Sequence, residues 1–193
     1  MGDDTRSDQT EPKTEPVPQN VVVLRAMDRA MRRRGPGADV DRLAEEAGIE
    51  PSVIHVHFPG GRQAVYDAVI TSTCDEFDDV VTSPMLSAPD PREALHEAAD
   101  GLDAYYEGGA RHCLFELFSV PEDAPHGSAI KEQAARFLDA LATVFRRLGK
   151  DQDAARARAH RLFAELQGTL VLSRMTGEPE LFRAFTESLR RAR

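Results

Sequence analysis

The sequence predicts an all-α protein, and three observations carry that prediction. Apolar residues recur at helical spacing from Asn20 onward. No stretch alternates with the period of two that marks a strand. Glycine and proline punctuate the chain wherever the helical pattern stops. The result is about nine helices: an N-terminal three-helix unit and a larger C-terminal helical bundle.

Residues 1–18 carry almost no large apolar side chains and three prolines. They cannot bury enough surface to offset ordering entropy and are expected to form a disordered tail. The first helix starts near Asn20, with Val22, Val23, Met27, Ala30 and Met31 on one side, and Gly35-Pro36-Gly37 stops it. Its last turn is Arg32-Arg33-Arg34. Cations there complement the helix dipole and could equally meet phosphate, so both readings stay open.

Asp39 is placed to cap the second helix, with Val40, Leu43, Ala44 and Ala47 facing inward. Gly48 sits where the chain must turn with positive φ. Ile49 plugs the corner. Pro51 suits the first turn of the third helix, which Val53, Ile54 and Phe58 pack down. After Gly60-Gly61 a long helix runs to about Thr82, and loops follow at Ser83-Pro84 and Ala88–Pro91. Further helices are predicted over about 92–106, 113–120, 128–148, 152–175 and 178–191.

Two short helices joined by a Gly-centred turn, with a Phe-Pro-Gly-Gly corner launching a third, make the layout of a helix-turn-helix reader of DNA. The domain division that follows is a helix-turn-helix unit over 19–66 and a second unit over 67–193. Ser52, Val53 and His55 lie in the first turns of the reading helix, where side chains reach base edges; for Val53 a buried place is the open alternative, and Ser52 and His55 are the better candidates. Arg42 on the preceding helix can reach a phosphate. Gly61 and Arg62 open the next helix, where free N–H groups bind anions.

The net charge of −9 opposes non-specific attraction to nucleic acid by the whole molecule. Within residues 21–70, seven arginines are balanced by seven acids, so the surplus acid lies elsewhere. No apolar run is long enough to span a membrane, and a basic-then-apolar leader is absent from the first residues. Two distant cysteines, Cys74 and Cys113, do not make a disulfide framework and point to the cytoplasm. No acid–base pair, metal triad, phosphate loop or cofactor motif emerges, so no enzyme, no metal and no cofactor are expected.

The segment LAEEAGIEPSVIHVHFPGGRQAV resembles the TetR family of bacterial transcriptional regulators, whose members carry a stretch close to IAxxAGVSxGxLYxHFxxKExL. The matches are Leu43, Ala44, Ala47, Gly48, Ile49, His57 and Phe58, with Arg62 where lysine is usual. The HFPGG variant is similar to the LmrA/YxaF-like subgroup, as are the stretches around Arg111–Leu114 and Glu165–Leu172. The resemblance spans roughly residues 20–191.

That resemblance implies a homodimer that binds a double-stranded DNA operator and is released by a small apolar effector. It implies a phosphate-facing role for His57, beside a capping role. It implies an effector cavity among Phe77, Tyr105, Tyr106, His112, Phe115, Phe118, Phe137 and Phe163, which plain core packing would also explain. It places the dimer seam on the last two helices, where Leu162, Leu166 and Leu170 form an apolar stripe. The chain departs from the pattern at His55, where tyrosine is usual, and at Pro51, where a base is usual; Glu50 replaces the common hydroxyl cap. Each departure removes attraction to phosphate. The alternative reading is therefore a helical small-molecule or partner-binding module with weak or lost DNA affinity.

Overall fold

The computed structural model describes residues 19–34, 38–117 and 127–191. Among them, every regular element is helical: α1 (Gln19–Arg34), α2 (Val40–Ala47), α3 (Pro51–His57), α4 (Gly61–Phe77), α5 (Ser83–Ser87), α6 (Pro91–Tyr105), α7 (Leu114–Leu117), α8 (Gly127–Arg147), α9 (Gln152–Thr176) and α10 (Glu180–Arg190). A π-helical turn (Asp78–Thr82) joins α4 to α5 without a break, so the described residues form nine α-helical rods, with one 3-10 turn (Glu107–Gly109) after α6. The expected tail over 1–18, the Gly35-Pro36-Gly37 stop and Phe118 lie outside the described residues. No described helix is long and apolar enough to cross a membrane.

Local capping chemistry sets the helix ends. The Asp39 carboxylate accepts the Asp41 N–H and starts α2, and Gly48, at φ +72°, ends it. Asp90 caps α6 by accepting the Arg92 and Glu93 N–H groups, and Asp151 caps α9 through the Ala154 N–H. Gly177, at φ +72°, closes α9.

The loop expected at Ser83-Pro84 is instead helix. Pro84 has no N–H to give the carbonyl four residues back, which belongs to Val80. The chain widens just before it, so that the Ser83 N–H reaches the Asp78 carbonyl five residues away. The Val80 oxygen faces Gly101 of α6: a Cβ built there would sit 2.3 Å from it. Gly101 thus lets α6 lie directly on the π-turn.

Two apolar clusters fill the interior. One joins α1, α2, α3 and α4 through Met27, Met31, Leu43, Ile54, Val65 and Val69, and takes in Leu114 of α7. The other joins α6, α8, α9 and α10 around Phe77, Leu102, Phe137, Leu141 and Phe182. In α9 the stripe expected at the dimer seam faces this second cluster: Leu162, Leu166 and Leu170 are 5%, 1% and 2% exposed. They pack into the chain's own core and not onto an outward face. A helix running along a bundle turns its most regular apolar stripe toward its own core first. The outward apolar side chains are Leu172 (52% exposed) and Met175 (77%) on α9, and Leu181 (37%) on α10.

Candidate functional site

α3 has a locked inner side and an open outer side. Ile54 is buried, and Val53 and Phe58 are half-buried against the α1–α4 cluster. Val53 therefore packs inward, the second of its two expected places, and not at base edges. Ser52, His55, Val56 and His57 are exposed. Val56 was missed by the sequence reading, although it lies four residues after Ser52 and so shares its face. The His55 Nε2 is 3.0 Å from the Asp41 carboxylate on α2. A carboxylate only accepts, so Nε2 donates, and in the neutral ring Nδ1 is left as an acceptor. Arg42 is exposed on α2, with no ion pair found among the described residues.

The three arginines ending α1 divide their work. Arg33 and Arg34 both donate to the Glu46 carboxylate of α2, the first at 2.7 Å. Hydrogen bonds from Arg33 and Arg34 hold the Glu46 carboxyl below its usual range. These two cations pin α2 to α1 and are partly neutralised by the Glu46 carboxylate.

The corner after α3 also ties back to the head. Gly61 adopts φ +66°, and its N–H donates to the Phe58 carbonyl at 2.9 Å. That N–H is committed, so Gly61 shapes the turn and does not itself offer an anion donor. The Arg62 guanidinium lies 5.1 Å from the Tyr66 ring centre, and the Tyr66 hydroxyl donates to the Ala38 carbonyl at 3.1 Å.

Arg32 turns inward to a polar joint between α1, α4 and the segment after α6. It donates to Asp28 at 2.8 Å, to the His112 carbonyl, and to the Tyr105 hydroxyl at 3.4 Å. Arg111 reaches the same Asp28 oxygen at 3.2 Å and Glu76 at 2.6 Å, and lies 4.5 Å over the Tyr105 ring. Thr73 donates to the other Asp28 oxygen at 3.1 Å. Burial pushes the Asp28 carboxyl up, but hydrogen bonds and charge from Arg32 and Arg111 outweigh it, and the net shift is downward. Burial raises the Tyr105 hydroxyl far out of the titrating range. His112 belongs to this joint: its Nδ1 is 3.0 Å from the Arg32 carbonyl. Its expected place in an effector cavity is corrected accordingly.

The fold itself matches solved regulators. A TetR transcriptional regulator from Legionella pneumophila superposes with a TM-score of 0.78 at 18% identity, over 92% of this chain and 98% of that one. A TetR-family regulator from Streptomyces coelicolor gives 0.74 at 19% identity, over 89% and 94%. The fatty acid degradation regulator FadR from Bacillus halodurans gives 0.66 at 18% identity, over 89% and 98%. The chain has the TetR-regulator fold. No protein-family model matches it, and no curated protein sequence does.

Within this TetR fold the bundle aromatics meet edge to face. Phe77 is the hub, with Tyr105, Phe115 and Phe137 at centroid distances of 5.1, 5.8 and 5.0 Å. Phe137 continues to Phe163 at 5.5 Å, and Tyr105 to Tyr106 at 4.9 Å. Phe77, Tyr106, Phe115, Phe137 and Phe163 surround a void of about 10 Å³ with Gln133 and Ala134. That is about the room one water needs. Gln133 was missed by the sequence reading. It is buried and donates to Asp78 in the π-turn at 2.8 Å. Tyr105 touches the hub but sends its hydroxyl to the joint. Both cysteines are buried, and burial pushes the Cys74 thiol up to about 11.

Proposed function

We propose that this chain is a cytoplasmic, homodimeric DNA-binding transcriptional regulator, a repressor released from its operator by a small apolar molecule. One observation carries the reading: in a fold shared with solved transcriptional regulators, a short helix after a Gly turn is anchored by Ile54 and Phe58 and presents Ser52, His55 and Val56 outward. Two such heads in a dimer fit successive major grooves. His57, Arg42 and Arg62 supply the phosphate side of the contact. The outward face of α9 and α10, around Leu172, Met175 and Leu181, supplies the seam.

The aromatic void supports the effector part of the reading. It is closed to a ligand in this conformer, so an effector acts by favouring a conformer in which it is open. The joint at Asp28, Arg32 and His112 links that bundle to α1 and is the route by which opening tilts the head. The FadR neighbour regulates fatty acid degradation, which makes acyl chains a sensible first class of compound to screen.

Gel retardation on the DNA upstream of the chain's own gene, at about 50 mM and 200 mM salt, tests the reading. A retarded band that weakens with salt and is reversed by an apolar compound is the expected result. The second reading, a binding module without DNA affinity, is favoured by Glu46 neutralising Arg33 and Arg34 and by Asp41 engaging His55. It requires no retardation at either salt with a compound that still raises the melting temperature.

A further inference from the structure

We propose that Val56 reads a thymine 5-methyl group, making one position of each operator half-site selective for thymine; this rests on the DNA-reading role above. Val56 is 79% exposed, more so than any other outward large apolar residue described. A single exposed valine elsewhere would need no account. This one stands on the outer side of α3, one turn after Ser52 and next to His55, while Ile54 and Phe58 hold the opposite side to the core.

The chemistry of the side chain narrows its target. An isopropyl group has no donor or acceptor, so it cannot engage the polar N7, O6, N6, N4 or O4 groups of the major groove. The one apolar feature there is the thymine C5-methyl. A β-branched side chain in a helix has one strongly preferred rotamer. The methyls of Val56 are thus presented at a fixed place when α3 docks, at little entropic cost. The exposed side chains beside it on α3, Ser52, His55 and His57, are all polar, and no other large apolar side chain of α3 is exposed. The exposed apolar area is one side chain wide, which suits a methyl group and not a protein partner.

The test first selects duplexes from a random-sequence synthetic DNA pool with the full chain at about 50 mM salt, giving a half-site sequence. Each thymine in that duplex is then replaced by deoxyuridine, which removes only the methyl. At one position per half-site the wild-type chain should bind about fourfold more weakly, the worth of burying one methyl group. Val56→Ser should bind the thymine and uracil duplexes equally at that position, with its melting temperature unchanged because the residue is exposed. If a half-site is selected but no uracil weakens binding by as much as twofold, the inference fails while DNA reading stands. If a uracil-sensitive position persists in Val56→Ser, another side chain reads the methyl and the inference fails. If no sequence is enriched, the DNA-reading proposal falls and takes this one with it.

Discussion

Arg32 and His112 hold each other twice across 80 positions of sequence: the His112 Nδ1 lies 3.0 Å from the Arg32 carbonyl, and the Arg32 guanidinium donates to the His112 carbonyl. A carbonyl only accepts, so His112 carries its proton on Nδ1. The pair clamps the end of α1 to the turn that follows α6. His112→Ala should cost about 1 kcal/mol, the worth of an ordinary hydrogen bond. Arg32→Met should cost about 3 kcal/mol because it leaves Asp28 buried with one cation fewer. Urea unfolding midpoints of the two variants check the order; equal losses would show that the clamp and not the buried charge dominates.

Asp28 should make the fold acid-sensitive. Its folded carboxyl titrates below the ordinary value of 3.8, so the unfolded chain takes up the proton first. The stabilisation is fully present above the ordinary value and is lost as pH falls through the folded one. Asp28→Asn should lower stability at neutral pH and flatten the slope below about pH 5. Melting temperatures measured across that window would contradict the account if both proteins showed the same slope.

Gly101→Ala should be severe. The added methyl meets the Val80 backbone oxygen at 2.3 Å, and backbone cannot rotate aside. Separating α6 from the π-turn should cost about 3 kcal/mol or more. For a chain of this size the melting temperature should fall by roughly 2–4 °C for each kcal/mol. A variant melting within a degree of wild type would mean that the π-turn yields easily.

The proposed dimer seam rests on which side chains face out. Leu172→Lys combined with Leu181→Lys should leave a folded monomer. Leu166→Lys should unfold the protomer, since the charge would enter its core. Light scattering and circular dichroism on the same samples separate the two effects. A Leu172/Leu181 double variant that still scatters as a dimer would place the seam on another face.

Phe137→Ala should join its vacated volume to the void beside it. The expected cost is about 3–5 kcal/mol. A small aromatic added to this variant should recover part of that loss, as ligands do in an enlarged apolar cavity. No recovery with any compound in an aromatic series would mean that the bundle collapses into the space.

Much of the fold was legible because its punctuation is local. The Asp39 cap and the Gly48 turn need only neighbours a few residues away, and both stand where the sequence placed them. The aromatic hub was partly legible too: Phe77, Tyr106, Phe115, Phe137 and Phe163 do converge. Gln133 was not, because a glutamine among charged neighbours reads as a wet surface until Asp78 is seen beside it.

What the sequence by itself determined is the chain's helical segmentation and the reader-like order of its first helices, since capping, turn chemistry and periodicity act over one or two turns. The tertiary structure alone decided which side of each helix faces what. It decided between the buried and the base-facing place of Val53, and turned Val56 outward, on a helix too short for periodicity to settle either. It sent Leu162, Leu166 and Leu170 into the protomer's own core. It drew His112 to Arg32 and carried the chain through Pro84 as helix, with Gly101 of α6 packed against the Val80 carbonyl. Those outcomes depend on elements far apart in sequence competing for the same buried surface, which no local window of residues records.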